Sequence, residues 1–88
     1  MTARSQMMRT RARRPHDVTR GVMTLVQETR FEIENERGGR RLFLLAHDAP
    51  LEPADLQALL AEGTPVRVEH DEAEGLIAAV AYDVRPVH

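Results

Sequence analysis

Between Arg30 and Glu36 the chain alternates: Phe31, Ile33 and Asn35 take turns with Arg30, Glu32, Glu34 and Glu36. A period of two sends successive side chains to opposite faces of an extended backbone, so this segment reads as a strand with one wet face. Gly38 and Gly39 follow, and glycine accepts the positive φ angles that a tight hairpin turn demands. The next strand, Arg41 to Ala46, carries Leu42, Phe43, Leu44 and Leu45 in succession.

The flanking segments extend the pattern. Upstream, Val22, Met23, Leu25 and Val26 give a first strand, apolar on both faces. Downstream a helix is expected. Pro53 suits its first turn, where a missing N–H costs nothing, and Asp55 complements the positive end of the helix dipole. Leu56, Leu59 and Leu60 form its buried stripe. Gly63 is placed to close the helix, and Pro65 prevents its continuation. Val66 and Val68 then alternate with Arg67 and Glu69 in a fourth strand. After an acidic turn (Asp71, Glu72, Glu74, Gly75), Leu76 to Val84 makes the last strand. The order β-β-β-α-β-β, with the helix between strands three and four, is that of a small five-stranded oligonucleotide/oligosaccharide-binding (OB) barrel. An α+β roll with an open five-stranded sheet is the competing arrangement.

With 88 residues there is room for one domain. Two parts are expected, an arginine-rich flexible arm over 1–17 and the barrel over 18–88. A body of roughly 70 residues is near the lower limit for an independent core, stable by about 5 kcal/mol. Charge divides along the same line. Residues 1–20 hold six arginines against one acid, and residues 21–88 hold six against thirteen, which gives +5 and −7. Cysteine is absent, which excludes disulfides and thiolate chemistry and fits a reducing cytoplasm. No run of about 18 apolar residues is present to span a membrane, and no apolar stretch follows Arg13-Arg14 to make an export signal.

The chain resembles the S1-type OB domains, nearest in outline to bacterial translation initiation factor one. Gly21-Val22 opens the first strand. Phe31, Ile33 and Asn35 match that family's F-x-V and following Asn. Leu45-Ala46-His47 matches the end of its third strand, Gly63, Val66, Val68 and Glu69 its G-x-x-V-x-V-E segment, and Gly75 with Ile77 its final G-x-I. The resemblance implies the barrel. It does not carry over the family's RNA contacts, because the stretch after strand three reads Asp48, Ala49, Pro50, Leu51, Glu52 where the family is basic.

Neither a catalytic constellation nor a cofactor motif emerges. Ser5 is the sole serine and lies in the arm, and Gly38-Gly39 lacks the lysine and hydroxyl residue of a phosphate loop. His16-Asp17, His47-Asp48 and His70-Asp71 hold metal-binding side chains, but neighbours on a strand point apart, so no metal site is assigned. These pairs read as polar groups solvating strand ends. Six arginines, Arg4, Arg9, Arg11, Arg13, Arg14 and Arg20, are the candidate nucleic-acid contacts. Against them stand the acidic body and the wet face of strand two, which offers Glu32, Glu34 and Glu36. Stacking aromatics are scarce too: the chain has Phe31, Phe43 and Tyr82 alone. If Leu42 and Leu44 point inward, Met23, Leu25, Phe43 and Leu45 form an outer apolar patch, a candidate protein interface or dimer seam. Curved barrel strands can equally bury both sides. The expectation is therefore a non-catalytic binding module with a protein partner or a second copy, the alternative being an RNA- or single-stranded-DNA-binding protein.

Overall fold

The computed structural model describes residues 17–71 and 78–87. In chain order these form β1 (Asp17–Gln27), β2 (Arg30–Glu34), β3 (Arg40–Leu45), α1 (Pro53–Glu62), β4 (Val66–His70) and β5 (Ala79–Pro86). The strands close into a barrel in the order β1-β2-β3-β5-β4. Closure sets aside the open-sheet roll, and the fold is the OB-like barrel with its helix between β3 and β4. Residues 1–16, and with them nearly all of the arm, lie outside the described residues. So do Glu72 to Gly75 of the acidic turn, and Leu76 and Ile77 of the expected last strand.

β1 serves two neighbours. Its first half, Asp17–Gly21, pairs with β4, and its second half, Val22–Gln27, pairs with β2. The exchange falls at Gly21, where β1 presses so close to the end of β2 that a Cβ would collide with the Glu34 backbone. Two residues on, the ladder slips between Met23 and Leu25. Thr24 is the extra residue of this β-bulge, and its hydroxyl donates to Glu32 Oε1 at 2.8 Å. Bulges bend and twist a strand, which lets one long strand span two sides of a small barrel. At the β1–β2 turn, Glu28 takes a positive φ of 56° that glycine would adopt at less cost.

Register fixes what lies inside. Val26 of β1 pairs with Phe31 of β2, Phe31 with Phe43 of β3, and Phe43 with Ala79 of β5. Directly opposed residues share a face, so these four make one interior row. Phe31 and Phe43 stack with ring centroids 5.3 Å apart. β3 and β5 run parallel, and the alanines of β5 are what this junction uses. Ala79 and Ala81, both buried, stand beside the bulky Phe43 and Leu45. The core is completed by Met23, Ile33, Val66, Val68 and Val84.

α1 contributes Leu56 and Leu59 to that core, with Leu60 packed at its margin, and it lies against β1. Both of its ends are built from local sequence. The Glu52 N–H donates to Asp55 Oδ2 at 2.8 Å, satisfying one of the free donors at the helix start. Gly63 stops the helix in a left-handed conformation and donates its N–H to the Leu59 carbonyl at 3.1 Å.

Candidate binding face

The expected outer patch is turned inside out. Met23, Phe43 and Leu45 are buried, and of the four residues only Leu25 is exposed. On β1 the bulge at Thr24 turns Met23 inward and leaves Leu25 outside, and for Phe43 and Leu45 the cause is the hairpin. Glu34 pairs with Arg40, so its loop comprises residues 35–39 rather than a two-residue turn at the glycines. A two-residue turn would have paired Ile33 with Leu44 and drawn Leu42 and Leu44 inward. The five-residue loop pairs Phe31 with Phe43, and an odd shift of register moves every side chain of a strand to the other face.

Asn35 organises that loop. Its Oδ1 accepts from the backbone N–H groups of Arg37 and Gly39, both at 2.9 Å. The Asn35 N–H donates to the Gly39 carbonyl and Gly38 N–H to the Asn35 carbonyl. Of the two glycines it is Gly38 that needs positive φ, at 87°.

What β3 turns outward is therefore Leu42 and Leu44. Leu44 is 42% exposed, Leu25 41%, and Val22 37%. They belong to three successive outer rows, Val22 standing beside Glu34 and Arg40 in the first. Leu25, Glu32 and Leu42 stand side by side on β1, β2 and β3, and the next row holds Gln27, Arg30, Leu44 and, on β5, Val80. The face is thus a central β2 stripe of charge flanked by leucines. Arg30 has no carboxylate partner among the described residues. Glu32 accepts from Thr24, and Glu34 has Arg40 at 4.0 Å, both of them exposed. An exposed pair at that distance contributes little to stability.

At one edge of this face an open cleft of about 570 Å³ lies over the β1 exchange point. Val22, Pro65, Val66 and Val87 make its apolar lining, with Arg20, Glu34, Glu36 and Arg37 as the charged groups around it. Arg20 is exposed on β1, and it is the one candidate nucleic-acid contact that lies within the described residues. Arg4, Arg9, Arg11, Arg13 and Arg14 lie outside them.

The histidine–aspartate pairs do different things. His47 is exposed, whereas His70 is fully buried against Phe43, ring centroids 4.9 Å apart. Its Nδ1–H donates to the Asp71 carbonyl at 2.8 Å, because a carbonyl can only accept. Its Nε2 meets the Thr19 hydroxyl at 2.8 Å. Asp71 in turn accepts from the Val80 N–H at 3.0 Å and lies 3.4 Å from the Tyr82 hydroxyl. Together these bonds tie β1, β4 and β5 at one end of the barrel. His70 is a core residue rather than a strand-end solvating group, and its flanking aspartate gives no signal of that in the sequence. Among the described residues no three histidine, aspartate or glutamate side chains come together as a metal site. Nor, among them, is any helix long and apolar enough to cross a membrane.

No protein-family model matches the chain, and neither a curated protein nor a solved structure is significantly similar to it.

Proposed function

We propose that the chain is a non-catalytic OB-like binding module, an accessory or regulatory subunit whose partner is a protein held on the outward face of β1, β2 and β3. The observation that carries this reading is the chemistry of that face. Leu25 and Leu44 stand exposed with Leu42 between charged neighbours, the composition of a protein contact rather than of a nucleic-acid platform. Single-stranded nucleic acid is held by aromatic stacking over a basic groove. Here Phe31 and Phe43 are both in the core, and Glu32 and Glu34 occupy the middle of the face.

The likeness to S1-type OB domains supports the barrel without adding RNA contacts. Gly21 permits close approach of strands, Phe31, Ile33, Val66 and Val68 fill the core, Asn35 builds a loop and Gly63 ends a helix. Each has a structural reason that needs no ligand. Cytoplasmic residence is part of the same reading, since a chain without cysteine suits a reducing compartment.

A photo-crosslinking residue placed at position 44, with position 57 on the exposed side of α1 as control, tests the proposal in cells expressing the chain. Protein adducts from position 44 and none from 57 are expected. Nuclease-sensitive adducts from position 44 would replace this reading with the nucleic-acid one, in which the arm's arginines add phosphate contacts.

A further inference from the structure

The charge pattern of the outer face is complementary to itself, and we infer that its occupant is a second copy of this chain. The inference rests on the protein-contact reading above and narrows it to one partner. Arg30 and Glu32 are successive outward residues of β2, about 7 Å apart along the strand. Arg30 is without a carboxylate partner among the described residues, and Glu32 accepts only from an exposed threonine. Residues two apart pair on β4 and β5, as Arg67–Glu69 and Arg85–Asp83, but among the described residues Arg30 and Glu32 do not, and a symmetric partner satisfies both.

Two copies packed face to face are related by a two-fold axis lying in the plane between them. If that axis runs lengthwise over β2, Glu32 meets Glu32 of the partner subunit and Arg30 meets Arg30 of the partner subunit, which is repulsive. If it runs across the strands at the level of Phe31, the two rows exchange. Glu32 then faces Arg30 of the partner subunit, and the reverse pair forms at the same time. The same operation sets Leu42 against Leu44 of the partner subunit and covers the most exposed leucine of the face. Leu25 falls opposite Gln27 of the partner subunit at the rim. Charge therefore selects the crosswise axis, and that axis also buries the apolar residues against each other. Unlike charges opposed across an interface fix register and suppress the wrong alignment.

Sedimentation equilibrium of the full chain tests this, with far-UV circular dichroism to confirm folding of each variant. The wild type is expected to be a dimer at micromolar concentration. Leu44→Asp is expected to abolish association while leaving the fold intact. Arg30→Glu and Glu32→Arg each turn two attractive contacts into two repulsive ones by symmetry, so each should raise Kd at least about tenfold. The double reversal, Arg30→Glu with Glu32→Arg, restores both pairs and should bring Kd back to within about threefold of wild type. A wild type that stays monomeric at 200 micromolar (roughly the top of the accessible range for a weak contact) overturns the inference. A dimer indifferent to Leu44→Asp, or a double reversal that fails to re-associate, overturns it as well. Protein adducts from position 44 with a chain that is monomeric alone would sink the second-copy inference and leave the protein-contact reading standing.

Discussion

A methyl group at Gly21 would meet the carbonyl of Glu34 and come within 2.7 Å of Ile33 Cγ2. Neither obstacle can swing aside, since one is ladder backbone and the other a fully buried side chain. Gly21 is also where β1 leaves β4 and takes up β2, so any backbone shift there disturbs two ladders. Gly21→Ala is expected to cost about 3 kcal/mol, more than half of the roughly 5 kcal/mol a domain of this size has to lose. Gly39→Ala makes the matching control, because a Cβ there would meet only the exposed Asn35 side chain, nearest at 3.2 Å. It should cost under about 1 kcal/mol. Urea midpoints of the two variants decide the matter, and equal midpoints would show that the strands can separate at Gly21 without penalty.

At the scale of the elements, the β2–β3 hairpin determines which face of β3 is seen by solvent, and Asn35 determines the hairpin. Without its side-chain carbonyl two backbone N–H groups lose their acceptor in the loop. Asn35→Ala is expected to lower stability by about 1–2 kcal/mol, whereas Asn35→Asp keeps the acceptor and should cost much less. Denaturation of both variants would check this, and an alanine variant as stable as the aspartate one would contradict it. The same hairpin marks how far the fold was legible. The inward face of β2 could be read from its alternation, which carries its own parity, but the alternation runs on through Asn35 and Glu36, which belong to the loop; α1 could be read from Pro53, its leucine stripe and Gly63. The four apolar residues Leu42 to Leu45 carry no parity, so β3 inherits its inward face from β2 through a loop whose length the glycines do not declare. Counting a two-residue turn reverses the strand. The partnership of His70 with Thr19 was invisible for a different reason: it joins residues 51 apart in the chain through a barrel closure that no local pattern encodes.

For the molecule as a whole, the decisive question is which surface is interior and which is free to bind, and two neighbouring residues of β3 answer it in opposite ways. Phe43 is wholly buried, stacked on Phe31, beside His70 and next to Ala79. Leu44 points outward and is nearly half exposed. Phe43→Asp removes the central aromatic and puts a carboxylate into an apolar interior, where the guanidinium of the exposed Arg41 lies 5.8 Å from the ring centroid. Loss of the aromatic packing together with desolvation of the carboxylate exceeds the roughly 5 kcal/mol available, so this variant should be unfolded at room temperature. Leu44→Asp loses only strand propensity and partial burial, about 1 kcal/mol, and should melt as cooperatively as the parent chain. Far-UV circular dichroism melts of the two proteins separate the cases directly. Folded Phe43→Asp together with unfolded Leu44→Asp would mean that β3 presents its other face to the core. The leucines assigned to the binding face would then be structural, and the contact surface would have to be sought on Phe43 and Leu45 instead.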